Sequence, residues 1–337
     1  MEIQGLQALY AGHKSVKALA KALQDGSVRT IFAEGLCASA APLLFSSVAA
    51  ACPQVVACPY VFVLDDAEEA GYFYHDLTQI LGEQEVFYFP SSFRRAVKFG
   101  QRDAANEILR TEVISRLSAG HCPLFVVTYP EAVMEKVVSR QKLDEQTLRL
   151  HASERVDITF VEETLRAFGF RRVDYVYEPG QFAVRGSILD VFSFSSEWPY
   201  RVDFFGDEVD SIRTFEVQTQ LSRDKQEEIV IVPELAGHTQ GKVPFTDFLP
   251  PETVLVMKDL FFLRDVADRV YADGFSAQAL MDEQARTEME EAGQHEKLRA
   301  DLMLIDGSAL MKGMLDFRRV EIGNKPSATR RPPCVST

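Results

Sequence analysis

The sequence predicts an α/β fold, a parallel sheet flanked by helices, with a smaller α+β domain inserted into it. Up to about residue 130, short apolar runs alternate with stretches of helical periodicity, as strands and crossover helices do in a parallel sheet. From 132 to 222 the pattern changes to consecutive strands joined by turn residues, which indicates an antiparallel sheet, and then the first pattern returns. We therefore predict domain segments at 1–131, 132–222 and 223–320, followed by a linker at 321–337.

The first segment accounts for most of the predicted parallel sheet. Apolar residues spaced three to four apart predict one amphipathic helix over residues 4–23. The apolar runs that predict buried strands lie at 30–33, 60–64, 85–89 and 124–127. Helical periodicity at 68–81 and 103–117 supplies the connections that parallel strands require. This order of strand and helix favours a doubly wound sheet.

The second and third segments differ in the length and spacing of their elements. A short helix is predicted over 161–168, and the strands that follow it lie at 172–178, 181–194, 200–205 and 208–216. In the third segment, a buried strand at 253–257 and a helix over 263–271 restore the α/β pattern. A long charged helix is predicted over 276–302, and the chain becomes basic and rich in proline after Phe317.

Composition limits the classes of function. The chain has 337 residues, of which 46% are hydrophobic, so it can build a core and is not disordered. Its formal net charge of -14 argues against a surface built mainly to grip nucleic acid. The sequence has no apolar run long enough to span a membrane, and its five cysteines form no CxxC pair. We expect a cytoplasmic protein with no disulfides, no metal and no other cofactor.

The connection after the first strand has the position and length of a P-loop, the phosphate-binding turn of pattern GxxxxGK[ST]. It begins at Gly35, but Ala40, Ala41 and Pro42 stand where the second glycine, the lysine and the hydroxyl residue belong. Because those residues hold the phosphates and Mg²⁺, the loop is predicted to be inactive, and an ordinary tight turn is the alternative. A later apolar strand ends at Asp259 like a Walker B strand, but no catalytic carboxylate follows it. Together the two sites indicate a degenerate, helicase-like P-loop NTPase fold.

Three motifs in the second segment carry a resemblance to a known family. They are 169–174 (GFRRVD), 178–192 (EPGQFAVRGSILDVF) and 201–213 (RVDFFGDEVDSIR). In this order they resemble the N-terminal part of the bacterial transcription-repair coupling factors, which is in turn similar to the first domains of the excision-nuclease protein UvrB. The resemblance runs from Gly35 to Phe317. UvrB carries a working P-loop, whereas the coupling factors have lost the residues of that loop. The inactive loop of this sequence is therefore similar to that of the coupling factors.

The resemblance implies that the second segment is the docking surface for the excision-nuclease protein UvrA. Carried over by position, the docking residues are Arg171 or Arg172, together with Arg185. Arginine suits this role because its planar guanidinium pairs with carboxylates in a bidentate manner and is frequent among interface hot spots. Phe182 is a further candidate, although it lies three residues before Arg185 on the same strand and therefore on the opposite face.

A purely structural role for Arg185 is the alternative to docking. Its guanidinium would then pair with an internal carboxylate, such as that of Asp190 or Asp203, and hold the sheet together. Trp198, which lies beside a turn, is expected to be a packing residue.

The resemblance also implies what the complete protein does. The complete family member resembles an ATP-driven translocase on double-stranded DNA that also binds RNA polymerase, and its motor segments are expected beyond Thr337. The chain itself is expected to be non-catalytic. Two rival functions are an active helicase or NTPase module and a purely structural, autoinhibitory clamp.

The segment between Phe87 and Asp103 departs from UvrB. It leaves no room for the long aromatic β-hairpin that UvrB slides between DNA strands. A small basic cluster in this segment could contact DNA phosphates or an acidic partner, or it could be a solvated helix edge. The cluster consists of Arg94, Arg95, Lys98 and Arg102.

Overall fold

A computed structural model describes residues 3–36, 38–92, 104–120, 122–235, 241–271, 304–323 and 334–336. The chain divides into two compact units. The first unit comprises Met1–Asn106, Arg116–Val137 and Lys242–Thr337, and the second comprises Glu107–Ser115 and Val138–Gly241.

The helices are α1 (Ile3–Ala11), α2 (Lys14–Gln24), α3 (Ala40–Ala51), α4 (Ala67–Leu81), α5 (Ala104–Ala119), α6 (Pro130–Met134), α7 (Arg140–Glu145), α8 (Ile158–Ala167), α9 (Phe245–Phe248), α10 (Leu260–Arg269) and α11 (Gly307–Leu315). The strands are β1 (Thr30–Glu34), β2 (Pro59–Val63), β3 (Val86–Phe89), β4 (Leu124–Thr128), β5 (Val137–Val138), β6 (Leu148–His151), β7 (Arg171–Arg172), β8 (Gln181–Arg185), β9 (Ile188–Val191), β10 (Tyr200–Phe205), β11 (Glu208–Phe215), β12 (Ser222–Gln226), β13 (Glu228–Ile231), β14 (Lys242–Val243), β15 (Val254–Met257), β16 (Arg318–Gly323) and β17 (Cys334–Ser336).

The first unit is built on a parallel sheet of seven strands in the order β17-β1-β16-β15-β2-β4-β3. Every residue of β2, β4 and β15 is buried, as expected for strands covered on both faces. At the centre, Phe45 of α3 packs edge-on against Phe62 of β2 with ring centroids 5.1 Å apart. The predicted α/β class, with a second sheet in an inserted domain, is confirmed.

The single helix predicted over 4–23 is two helices, α1 and α2. The break falls at Gly12 and His13, where the His13 backbone is extended and its Nδ1 accepts a hydrogen bond from the N–H of Ser15 at 3.3 Å. This is the geometry of a helix N-cap. Because apolar residues keep helical spacing on both sides of the break, periodicity alone does not reveal it.

The sequence does not predict β16, although this strand lies between β1 and β15 near the middle of the sheet. Its first two residues are arginines, so the segment has the composition of a basic tail. Both arginines are accommodated at helix ends: Arg318 donates to the carbonyl of Leu23, and Arg319 donates to that of Leu315 at 3.0 Å. Val320 is fully buried. The linker predicted over 321–337 is therefore wrong for the residues in β16 and β17.

The second unit contains a six-stranded sheet in the order β12-β11-β10-β9-β8-β7. Its pairs are antiparallel, except that β7 and β8 are parallel. One face of the sheet packs against α8 and the two-stranded sheet β6-β13 in a core that includes Phe182, Leu189 and Val202. We call the other side of the sheet the outer face; its side chains alternate with the core residues along each strand. The outer face carries Ala183, Arg185, Asp190, Arg201, Arg213, Phe215 and Lys225.

Two strand predictions in this unit are wrong in detail. Residues 181–194 form the hairpin β8-β9 rather than one strand, because the chain reverses at Gly186, where φ is +62°. Of the residues predicted as a strand over 172–178, only Arg172 lies in a strand, β7. Further along, the backbone N–H groups of Tyr177 and Glu178 donate hydrogen bonds to the side-chain oxygen of Gln181. The unit also continues to Gly241, beyond the predicted boundary at 222, because β12 pairs with β11 and β13 pairs with β6 within it.

Some predictions fall outside the described residues. These are the long helix over 276–302, the proline-rich stretch after β16, the prediction that the segment between β3 and α5 has no room for a UvrB-like hairpin, and the basic cluster of Arg94, Arg95, Lys98 and Arg102. In the ranges that are described, the helices are too short or too polar to cross a membrane.

Candidate docking site

The loop after β1 has the strand–turn–helix geometry that its sequence predicts. Gly35 adopts a φ of +82°, which favours glycine, and α3 begins at Ala40. Ser39 precedes the helix and donates its hydroxyl to Asp76 Oδ2 at 2.6 Å. The side chains of Ala41 and Pro42 are buried in the unit. The backbone of a phosphate loop is thus retained in outline, but its first helical turn offers no charged or hydroxyl side chain to a nucleotide.

Asp259, the residue at the Walker B position, caps a helix. Its Oδ1 accepts hydrogen bonds from the backbone N–H groups of Phe261 at 2.8 Å and Phe262 at 3.2 Å, at the start of α10. An aspartate in this position satisfies N–H groups that the helix itself leaves without partners. Among the residues that the structure describes, no three His, Cys, Asp or Glu side chains are grouped in a way that could hold a metal ion.

Lys258, which the sequence does not single out, lies in a cluster of charges at the carboxyl ends of β15 and β2. Its ammonium is 3.0 Å from Asp65 Oδ2 and also pairs with Glu69. Burial raises the pKa of Asp65 despite the nearby lysine. Burial of Lys258 disfavours its charged form and by itself would lower its pKa. The hydrogen bonds that Lys258 donates to Glu69 and Asp65 together outweigh this effect, so the pKa of Lys258 is raised. The lysine is therefore engaged by two carboxylates of the protein itself.

Arg171 and Arg172 form the edge strand β7, and their side chains point to opposite faces of the sheet. Arg172 pairs in register with the core residue Phe182, and its Nη1 is 2.7 Å from Glu162 Oε1 on α8. Arg171 lies on the outer face with 70% of its side chain exposed, and its guanidinium is 4.0 Å from Glu178 Oε2. Of the two alternatives that the sequence leaves open, Arg171 is the one that shares a face with Arg185.

Arg185 lies at the end of β8 and is held by three contacts. Its Nη2 donates to Asp190 Oδ2, its Nη1 donates to the carbonyl of Asp174 at 2.7 Å, and its guanidinium lies 5.1 Å from the centre of the Tyr175 ring. The internal pairing considered for this residue is thus present. The side chain is nevertheless 36% exposed, and a guanidinium has five N–H donors. Arg185 is oriented by the sheet and still presents donors to the solvent.

Asp190 is the internal partner that fixes this orientation. It has no exposed surface and accepts two further hydrogen bonds from Arg201, at 2.7 and 2.9 Å. These hydrogen bonds raise the pKa of Arg201. A buried carboxylate is costly unless opposite charges compensate it, and here two guanidinium groups do so. Sequence reasoning names Asp190 only as an alternative partner, and the signal for its role is a lone acid within the apolar strand β9.

Phe182 is not a surface residue, so the expectation that it contacts a partner is wrong. Its side chain has no exposed area and belongs to the core between the sheet and α8. The guanidinium of Arg166 lies 5.8 Å from the centre of its ring. The prediction that Phe182 and Arg185 face opposite sides of the sheet is confirmed, because Arg185 lies on the outer face.

A pocket of about 280 Å³ lies beside Arg171. The residues that line it include Phe168, Phe194, Glu178 and Glu234. Gly180 also lines it and adopts a φ of +81°, and a Cβ there would come within 2.8 Å of the Phe194 ring. The turn that presents Arg171 and Glu178 therefore requires glycine at this position.

Comparisons with known proteins match this unit to a family model and to relatives of one name. Residues 148–236 match the model of the UvrB interaction domain. The transcription-repair-coupling factor of Haemophilus influenzae is 41% identical over 110 residues, which are 33% of this chain and 10% of that protein. The Escherichia coli factor of the same name is 38% identical over 101 residues, 30% of this chain and 9% of that protein. The resemblance predicted from the motifs is confirmed.

A longer match extends into the first unit. The transcription-repair-coupling factor of Bacillus subtilis is 24% identical over 250 residues, which cover 72% of this chain and 21% of that protein. The chain thus spans roughly a tenth to a fifth of the length of these relatives.

Proposed function

We propose that the second unit is a docking module for the excision-nuclease protein UvrA. By recruiting UvrA, it would bring nucleotide-excision repair to stalled RNA polymerase. The observation that carries the proposal is that Arg171 and Arg185 share the outer face of a domain whose residues 148–236 match the UvrB interaction domain. A protein partner with exposed carboxylates would meet two guanidinium groups there, and arginine is among the residues that dominate interface energies.

The way in which Arg185 is held supports a binding role beside its structural one. Binding costs the entropy of the side chains that it immobilises. Because Asp190 and the Tyr175 ring already orient the Arg185 guanidinium, less of that cost would fall on the complex. Arg171 has a single weak contact of 4.0 Å to Glu178 among its ion pairs in the described residues, so it can turn to a partner at little cost.

The first unit is proposed to be non-catalytic. Its loop after β1 lacks the lysine and the hydroxyl residue of a P-loop, and Asp259 is used as a helix cap. The name of the relatives supports a role in coupling transcription to repair. We propose that the complete protein is an ATP-dependent translocase on double-stranded DNA that also contacts RNA polymerase through parts outside this chain.

The test measures the affinity of the chain for UvrA by isothermal titration calorimetry. The double variant Arg171→Ala, Arg185→Ala is expected to bind at least about tenfold more weakly than the wild type, because two interface anchors are lost. Asp190 retains Arg201 in this variant, and circular dichroism checks that the fold persists. Arg172→Ala is the matched control, since it removes the neighbouring arginine from the opposite face and should change the affinity less than about twofold.

Two outcomes would contradict the proposal. If the wild-type chain does not retain UvrA at all, the unit is not a docking module, and the structural clamp becomes the better account. If Arg172→Ala weakens binding as strongly as the double variant, the docking surface is not the outer face.

A further inference from the structure

The outer face of the six-stranded sheet carries a row of charged residues that runs across four strands. Strand register places Asp190 of β9 opposite Arg201 of β10, Arg201 opposite Arg213 of β11, and Arg213 opposite Lys225 of β12. Residues paired in this way project to the same side of the sheet. The row therefore continues from the neighbourhood of Arg185 to the far edge of the sheet.

Cations dominate the exposed part of this row. The exposed fractions of the side chains rise from 15% for Arg201 through 38% for Arg213 to 68% for Lys225. The acids near them differ in exposure. Asp190 is fully buried, and Asp203 is 21% exposed and pairs with Arg213. Glu227 is 86% exposed, follows β12 and lies 4.0 Å from the Lys225 ammonium. Strand register thus places four cations (Arg185, Arg201, Arg213 and Lys225) and two acids (Asp190 and Asp203) on this face, an excess of positive charge on a chain whose net charge is -14.

An exposed tyrosine stands at the Arg185 end of the same face, and a second lies two residues further along the chain. Tyr175 and Tyr177 are 53% and 55% exposed, and Tyr175 stacks with Arg185. They belong to the turn between β7 and β8, which covers the small apolar cluster around Val176. Exposed tyrosine next to arginine is the composition enriched in protein–protein interfaces.

We infer that the docking surface extends from Arg171 and Arg185 across the outer face to Arg213 and Lys225, and that it receives an acidic segment of the partner protein. This inference rests on the proposed function and adds its chemistry, a segment of UvrA in which carboxylates alternate with other side chains. A protein fits this face better than DNA does. The acids Asp203 and Glu227 lie among the cations, which suits an alternating pattern of side chains and disfavours a continuous line of phosphates.

The test reverses the charge at the far edge of the face. Lys225→Glu changes an exposed residue whose one ion pair in the described residues is 4.0 Å long, so the fold is expected to be retained. Binding of UvrA should weaken at least about fivefold, and the affinity should depend less on salt, since one attractive charge becomes repulsive. Arg213→Gln should also weaken binding, and its thermal unfolding is recorded because it leaves Asp203 without its guanidinium partner.

Arg149→Glu is the matched control. Arg149 is 44% exposed and lies 3.7 Å from Glu228. It alternates with Leu148 and Leu150, which pack into the core from β6, so it points away from the outer face. The same charge reversal there should leave the affinity for UvrA within about twofold of the wild type.

The outcomes separate this inference from the proposed function. If the double variant Arg171→Ala, Arg185→Ala loses binding but Lys225→Glu and Arg213→Gln bind normally, the docking function stands and the extended surface is wrong. The inference is also overturned if Lys225→Glu abolishes self-association of the chain or binding of a DNA duplex while UvrA binds unchanged. If Arg149→Glu weakens binding equally, the effect reflects net charge and not this face.

Discussion

Three arginines of the second unit have three different roles, which depend on the partner of each side chain. Arg172 pairs with Glu162 on a helix, Arg185 with the buried Asp190, and Arg171 makes one long contact with a neighbouring glutamate. Alternation along strands was enough to assign Phe182 and Arg185 to opposite faces. It could not say which of Arg171 and Arg172 faces outward, because that depends on the register between β7 and β8.

Lys258 gives a test of electrostatics at the residue scale. Lys258→Met leaves Asp65 and Glu69 together without a cation, and we expect the free energy of unfolding to fall by about 1 kcal/mol at pH 7, because the cluster is partly exposed. The loss should shrink as the pH falls. Burial raises the pKa of Asp65 above its ordinary value of 3.8, so Asp65 takes up a proton at a higher pH than an ordinary aspartate does. Once protonated it is neutral, and the loss of the nearby cation no longer destabilises it. Urea unfolding at pH 7 and at about pH 4.5 measures the difference.

Lys258→Arg is the control for this prediction. It keeps the charge and should recover most of the stability at pH 7. A loss for Lys258→Met that is equal at both pH values would show that packing of the lysine side chain, and not its charge, is what matters.

At the scale of elements, the buried strands were the most predictable part of the fold. The apolar runs at 60–64 and 124–127 correspond to β2 and β4 within one residue. The elements that the sequence misjudged are those in which a local signal conflicts with tertiary contacts. Two arginines open β16, and each donates a hydrogen bond to a carbonyl at the end of a helix. A single glycine with positive φ divides residues 181–194 into a hairpin.

Two helical glycines give opposite predictions for the same substitution. A Cβ on Gly71 of α4 would meet no atom within 4 Å, so Gly71→Ala should raise the free energy of unfolding by about 0.5–1 kcal/mol through helix propensity. A Cβ on Gly313 of α11 would lie 2.4 Å from the hydroxyl oxygen of Thr246 on α9. Gly313→Ala should therefore lower the free energy of unfolding by about 1–3 kcal/mol, as overpacking does. Chemical denaturation of both variants provides the comparison.

The two substitutions are expected to change the free energy of unfolding in opposite directions. Stabilisation by both substitutions would mean that α11 and α9 can separate freely, and that the close approach at Gly313 does not constrain this unit.

At the scale of the whole molecule, charge is distributed unevenly. The chain as a whole is acidic, with a net charge of -14, whereas the outer face of the second unit exposes Arg171, Arg213 and Lys225. Composition predicted that the chain is not a broad nucleic-acid clamp. It could not locate the local patch, because the cations come from strands that are neighbours in the sheet and not in the sequence.

The absence of a P-loop lysine gives a prediction for the entire chain. Mg²⁺ and ATP at about 1 mM should leave the midpoint of thermal unfolding unchanged, because a ligand raises it only by binding the folded state. Phosphate release should stay at the background of the buffer. Turnover that depends on enzyme concentration, or a midpoint that rises with ATP, would support the rival NTPase module; an intact P-loop ATPase measured in parallel shows that the assay is sensitive.

The position of β16 affects the order in which the first unit can form. In the described sheet, β1 is bordered by β16 and β17, and both come from the last 20 residues of the chain. During synthesis, β1 therefore emerges early and waits for partners almost 300 residues away, the kind of non-local pairing that slows folding and leaves strand edges open to aggregation. A version of the chain shortened before Arg318 would leave β1 without its neighbours, so it would be an unsuitable control in any binding experiment.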